Sequence, residues 1–237
     1  MSIMATRNII IFGDPSIDRR FLLKLLGISV TRHFTVCPPC NVFETQTHSV
    51  TIGKHECKLY NTAGFQSDVS RLEPRKTMGN LYRFIRAFES SINLLIYVVH
   101  DQHSVNNIKM FYDSFCRRDV PIILVTSNSN PPSTFHLKPD DLPHFKAVLT
   151  LYDDPESDRA SLREAIVAHI KGYHKDISPL VRFEITAIKC WELSERAAGW
   201  SIPKWRSALK ATLMEDVFFS EQDAAAKSQV IVDQIKK

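Results

Sequence analysis

No apolar run in this 237-residue chain is long enough to cross a bilayer; the longest strongly hydrophobic stretches, such as Leu94 to Val99 and Ile122 to Val125, have the length of buried strands. No block of like charge marks a disordered tail or a nucleic-acid arm, and the net charge is a modest +4. Aromatic residues are not interleaved with Lys and Arg in the manner of a strand-binding groove, so nucleic acid is not an expected partner. The five cysteines are an odd number in a mid-sized chain, which does not fit a disulfide framework and points to a reducing compartment. The opening Met-Ser-Ile-Met-Ala-Thr-Arg passes directly into the first strand, without the apolar stretch and cleavage site of a secretory signal, so a cytoplasmic location is expected. Neither a Gly-x-Ser-x-Gly elbow nor a His-Glu-x-x-His pair occurs, which leaves hydrolase readings of those types without a motif.

What is present is an ordinary globular composition, 44% hydrophobic and 24% charged, in a chain long enough for one sizeable core with peripheral additions. Asn8 to Phe12 reads as a strand that stops at Gly13, and Phe21 to Leu26 as a short helix. Val42 to Ile52, the turn Gly53-Lys54 and Cys57 to Tyr60 suggest an antiparallel hairpin. Leu81, Phe84, Ile85 and Phe88 recur at helical spacing before the strand Leu94 to Val99. Val105 to Phe115 then carries a helical stripe, Ile122 to Val125 the next strand, Pro131-Pro132 an irregular loop, and Ala147 to Leu151 a further strand. Leu162, Ile166, His169 and Ile170 mark a helix beginning near an Asp158 cap. Strands alternating with helices predict a mostly parallel sheet covered on both faces. From about Ser178 the rhythm stops, and the remainder, with Trp191, Trp200 and Trp205 and a helix-favouring end, reads as a helical appendage.

Asn8-Ile-Ile-Ile-Phe-Gly13 leading into a helix, Asn61-Thr-Ala-Gly64 after a hairpin, and Leu94-Leu-Ile-Tyr-Val-Val99 further on have an order and spacing that resemble P-loop GTPases. The likeness is to the septin-like and immunity-associated branch, as in fungal G-domain proteins, and covers roughly the first 170 residues. It implies a three-layer α/β fold of the P-loop NTPase type, with a mostly parallel sheet, one antiparallel edge hairpin and a C-terminal helical appendage. The expected division is a G-domain-like part over 1–177 and a helical extension over 178–237 packed on it.

The residues of that pattern depart from it. A working phosphate loop reads Gly, four residues, Gly-Lys-Ser/Thr, because backbone N–H groups cradle the phosphates, the Lys reaches the outer ones and the hydroxyl holds Mg²⁺. Here the positions run Gly13, Asp14, Pro15, Ser16, Ile17, Asp18, Arg19 and Arg20. Asp18 puts a Cβ and a carboxylate where a phosphate should approach. Arg19 keeps a positive charge, while Arg20 removes the metal-binding hydroxyl and adds a cation. Asn61 stands where the family has the Asp of the magnesium shell, Gly64 survives, and Phe65 replaces the water-orienting Gln of small GTPases. The switch Thr falls at Asn41 or Thr45, and the base-reading region becomes Thr126-Ser-Asn128-Ser-Asn130, without an acid or a Lys.

The resemblance therefore implies nucleotide contacts at Gly13, Asp14, Pro15, Ser16, Asp18, Arg19, Arg20, Asn61, Gly64 and Thr126, with no catalytic residue and no metal ligand. No cofactor is expected to be required; GTP or GDP is the implied ligand and magnesium is not expected. Two function classes follow. One is a pseudo-GTPase that meets a protein partner through its switch regions (about Thr35 to Val50 and Phe65 to Thr77) or its terminal helix; the other is a weak or magnesium-independent GTP/GDP-binding protein with slow hydrolysis. Val230, Ile231 and Ile235 line part of one face of the terminal helix, whose docking on its own chain is preferred to partner binding or a homodimer. Cys37-Pro-Pro-Cys40, with Cys57 and His48 or His55, has redox or zinc-like spacing, but reduced thiols without such a role are the favoured reading. His100, Asp101 and His103 read as a solvated turn rather than a metal or acid/base cluster.

Overall fold

The computed structural model describes residues 6–13, 17–28, 43, 45–62, 73–88, 92–99, 108, 112, 120–127, 145–151, 154–170, 182–188, 190–191 and 199–235. By contacts the chain forms two compact units, one of Met1–Val36, Thr45–Gly64 and Ser90–Asp176, the other of Cys37–Glu44, Phe65–Glu89 and Ile177–Lys237.

The first unit is built on a six-stranded sheet in the order β2-β3-β1-β4-β5-β6. Its strands are β1 (Arg7–Gly13), β2 (Thr45–Ile52), β3 (His55–Thr62), β4 (Leu94–Val99), β5 (Ile122–Ser127) and β6 (Ala147–Leu151). Only β2 runs antiparallel, against β3; the pairs β1–β3, β1–β4, β4–β5 and β5–β6 are parallel. The apolar runs of β1 and β4 are buried throughout because both faces of a central parallel strand are covered. By contrast, β2 at the edge alternates and exposes Thr47, Ser49 and Thr51. The β2–β3 turn falls at Gly53-Lys54 as expected, with Gly53 at φ +60.

Helices α1 (Ile17–Leu25) and α3 (Pro155–His169) supply Leu22, Leu23, Leu25, Leu162 and Ile166 to a core with Ile9, Ile11, Leu59 and Ile96. The other face of β1 and β4 buries Phe12 against Tyr97, ring centroids 4.8 Å apart. Helix α1 ends where Gly27, at φ +83, lets its N–H reach Lys24 O and that of Ile28 reach Leu23 O, the double bond that closes a Schellman turn. The N-cap of α3 is Asp154, whose Oδ1 accepts from the Glu156 N–H at 3.3 Å. Asp158 sits buried one turn inside, so the expected cap lies too late in the chain; Pro155 opens the helix because its missing N–H costs nothing at that position. Arg163 ties α3 to the edge strand by donating to Thr51 O at 2.8 Å. Asn93 clamps the start of β1, its Oδ1 accepting from Asn8 N–H and its own N–H donating to Asn8 O, both at 2.8 Å.

The second unit contains α2 (Pro74–Arg86), a helical stretch over 182–188, α4 (Ile202–Glu215) and α5 (Glu221–Ile235). The α2 helix starts earlier than the stripe beginning at Leu81 suggests, because Pro74 sits at its N-terminus. Arg75 holds α2 to the end of α4, donating to Thr212 Oγ1 at 2.6 Å, Asp216 Oδ2 at 3.2 Å and Glu215 Oε2. The aromatic core runs from Phe43 through Phe84 to Phe88, with Tyr82 edge-on to Phe183 and Trp191 beside Trp205. Lys227 on α5 pairs with Glu184 at 2.8 Å. The buried stripe of α5 is Ala224, Ser228, Ile231 and Val232. Val230, expected on that face, is 50% exposed, because it lies about 100° around the helix from Ile231. The helix thus docks within its own unit. The helix expected over 105–115 and the Pro131-Pro132 loop fall outside the described residues, apart from 108 and 112. Among the described residues no helix is long and apolar enough to cross a membrane.

Candidate functional site

The parallel strands deliver their C-terminal ends to one edge of the sheet, the edge at which α/β folds bind ligands. Gly13 ends β1 opposite Val98, Asn61 lies next to Ile11 near the end of β3, and Thr126 stands beside Val99 near the end of β5. Three of the predicted site residues are therefore brought to the same edge by strand register. Asp18, Arg19 and Arg20 occupy the first turn of α1, the helix that follows β1. Asp14, Pro15, Ser16 and Gly64 lie outside the described residues, as do Asn41, Phe65, Asn128, Asn130, Cys37, Cys40, His100, Asp101 and His103.

Gly13 is required by packing. Its φ is +119, and a Cβ built there would meet Val98 O at 2.0 Å and the Val98 carbonyl carbon at 2.9 Å. Asn61 is 2% exposed, and its Oδ1 has no hydrogen-bond partner among the described residues. A buried amide oxygen left in this state is costly unless a donor reaches it. Thr126 is fully buried, with its hydroxyl 3.4 Å from Leu149 O and 3.3 Å from Thr150 Oγ1. That hydroxyl is engaged in holding β5 to β6. Of the described side chains brought together by this edge, all are neutral: an amide, hydroxyls and a glycine. Thr62, buried beside Asn61, belongs to the Asn61-Thr-Ala-Gly64 motif but was not among the expected contacts.

Cys57 sits far from this edge, opposite Arg7 at the start of β1. Burial is the main cause that pushes its thiol up to about 11, with the Glu56 carboxylate adding to it. Its Sγ–H donates weakly to His55 O at 3.6 Å. Burial also lowers the pKa of His48 from its ordinary value. Among the described residues no cluster of three or more His, Cys, Asp or Glu could hold a metal ion. A protonated, buried thiol is a poor nucleophile. In the native chain at pH 8, Cys57 is expected to react with iodoacetamide about two orders of magnitude more slowly than in urea, because raising a thiol from 9.0 to about 11 cuts its thiolate fraction roughly a hundredfold. Peptide mapping of the alkylated residue checks this, and equal rates in the two conditions would contradict it.

No protein-family model and no curated protein matches the chain. Solved structures similar to it include a GTP-binding protein from the hyperthermophilic archaeon Sulfolobus solfataricus in complex with GDP, at 13% identity and a TM-score of 0.45 over 68% of this chain and 51% of that one. The GTP-bound crystal structure of T. brucei IFT22/74/81 is another, at 16% identity and a TM-score of 0.43 over 69% of this chain and 96% of that one. This chain thus spans about half the length of the archaeal protein. The strand order with its single antiparallel edge hairpin gives the chain a GTPase-like α/β fold, in which the expected site residues that can be placed lie at the C-terminal edge of the sheet or in the helix that follows β1.

Proposed function

We propose that this chain is a pseudo-GTPase of degenerate septin-like type: a G-domain-like part over 1–177 that acts as a protein-interaction module rather than as a magnesium-dependent GTP hydrolase. The observation that carries the reading is the place of Asp18 in the first turn of α1. A helix N-terminus attracts negative charge, and in a phosphate loop that charge comes from the ligand. Here the chain carries an acidic residue of its own in that turn, where the phosphate-loop pattern has a glycine. The metal side of the site fails independently. Asn61 offers a neutral amide where a hard dication requires a carboxylate, and Arg20 adds a cation in the same turn as Asp18. These residues do not fit a magnesium nucleotide.

Weak, magnesium-independent GTP or GDP binding is the second reading. It is supported by the buried Asn61 Oδ1, which has room in its hydrogen bonding for a donor, and by the two arginines beside Asp18. Restoring the family pattern with Asp18→Gly, Arg19→Lys, Arg20→Ser and Asn61→Asp separates the two. On the pseudo-GTPase reading the reverted chain gains a magnesium-dependent thermal stabilisation by GTP that the native chain lacks. Equal stabilisation of both chains would sink that reading in favour of the second.

A further inference from the structure

Two helices of the second unit carry charge of the wrong sign for their own ends. A helix N-terminus favours acid and a C-terminus favours base. The first turn of α2 holds Arg75 and Lys76 and no acid, and its N-cap, Glu73, makes no side-chain capping bond. Helix α4 closes on Glu215 with Asp216 as its C-cap and has no base in its last turn. Each set is unfavourable on its own helix and favourable beside the other, so the contact between them relieves a conflict that either helix alone would keep. Arg75 makes that contact. Its Nη1 donates to Asp216 Oδ2 at 3.2 Å and to Thr212 Oγ1 at 2.6 Å, while its Nη2 donates to Glu215 Oε2. Thr212 is fully buried and its hydroxyl hydrogen is directed to Ala208 O at 3.0 Å, which fixes its oxygen as an acceptor. The Asp216 side chain is only 18% exposed, so its pair with Arg75 is screened less than a surface pair. The planar fork of a guanidinium suits several acceptors at fixed positions better than an ammonium does.

The backbone of α2 makes room for this contact. Gly79 sits in the middle of the helix, where glycine weakens a helix relative to alanine. A Cβ there would lie 3.4 Å from both Arg75 Nη1 and Asp216 Oδ2, so a larger side chain would press on the pair. The far end of α2 is tied to the same part of the chain. Arg182 donates to Phe88 O at 3.3 Å, and the Tyr82 ring meets Phe183 edge-on with centroids 5.4 Å apart. The segment Phe65 to Thr77, which reads as the second switch region, therefore ends in a helical turn whose arginine is held by residues 212–216. A switch needs an element with two arrangements of similar energy. A helix held at both ends by the C-terminal part of its own chain has one.

We infer that the C-terminal extension is a built-in latch on α2: Arg75, gripped by Glu215 and Asp216, holds the end of the second switch segment in one position whatever occupies the edge of the sheet. The inference rests on the proposed reading of Phe65 to Thr77 as a switch region. Amide hydrogen exchange of the full chain, read by mass spectrometry, tests it. Arg75→Glu should speed exchange roughly tenfold in peptides from both α2 and the end of α4, while peptides from β1 and β4 keep their native rates. Adding Asp216→Arg to Arg75→Glu should return both helices toward native protection, which a loss of packing alone would not allow; this double variant also keeps the test open if Arg75→Glu fails to fold. Native exchange in both helices of folded Arg75→Glu would overturn the latch, and so would a charge swap that restores nothing. In the native chain, α2 should exchange at the same rate with and without millimolar GTP or GDP. A nucleotide-dependent change there would overturn the latch, whereas thermal stabilisation by GTP with α2 exchange unchanged would overturn the pseudo-GTPase reading and leave the latch supported.

Discussion

Gly13→Ala is expected to remove most of the stability of the sheet-containing unit. The new methyl carbon would lie 2.0 Å from Val98 O, the backbone of a central strand that cannot move aside without breaking its pairing with β1 and β5. The φ of +119 is itself strained for any side chain. Together these are expected to cost several kcal/mol, a large fraction of the ~5–15 kcal/mol that holds a domain folded. Gly27→Ala is the internal control: its φ is +83, but no atom lies within 4 Å of the added carbon. It should cost only about 1–2 kcal/mol, the backbone penalty alone. Urea unfolding of both variants checks the contrast, and similar midpoints for the two would show that β1 and β4 are not as tightly apposed as described. The result bears on function. Because the fold demands glycine at position 13, its presence does not by itself argue for phosphate binding.

Trp205→Ala should be the most damaging single change in the helical unit. Trp205 is fully buried, and its ring centroid lies 5.4 Å from that of Trp191. Truncation would leave a cavity between α4 and its neighbours at a cost of about 3–5 kcal/mol. Trp205→Phe should be far milder, because the Nε1–H it removes has no hydrogen-bond partner among the described residues. Denaturant midpoints for the two variants decide this, and an equally costly Phe variant would mean that the indole N–H is engaged after all.

Strands β4 and β6 could be read residue for residue, because short apolar runs between polar breaks leave few alternatives. The hairpin was legible from Gly53-Lys54, which supplies the left-handed turn. Helix starts were harder. The first turns of α2 and α3 are marked by Pro74 and by Asp154-Pro155, whereas the apolar stripe used to find these helices begins later. The partition of contacts was not legible, since Arg75 reaches Thr212, Glu215 and Asp216 across some 140 residues of chain. Nor was the misplacement of Val230: at one residue's remove, the apolar pattern of α5 allows two neighbouring faces, and packing on α4 chooses the one through Ile231 and Val232. At the candidate site, motif order named Gly13, Asn61 and Thr126, which strand register brings to one edge of the sheet. It could not show that the Thr126 hydroxyl is engaged with β6 or that the Asn61 amide oxygen is buried without a partner.

The most direct test of the central claim is a calorimetric and thermal-shift titration of the native chain with GTP, GDP and ATP, each with Mg²⁺ and with EDTA. A pseudo-GTPase with Asp18, Arg20 and Asn61 at these motif positions should show neither heat of binding nor stabilisation at millimolar nucleotide in any condition. Stabilisation by the guanine nucleotides but not by ATP would contradict that account; its survival in EDTA would show that the altered loop binds nucleotide without metal.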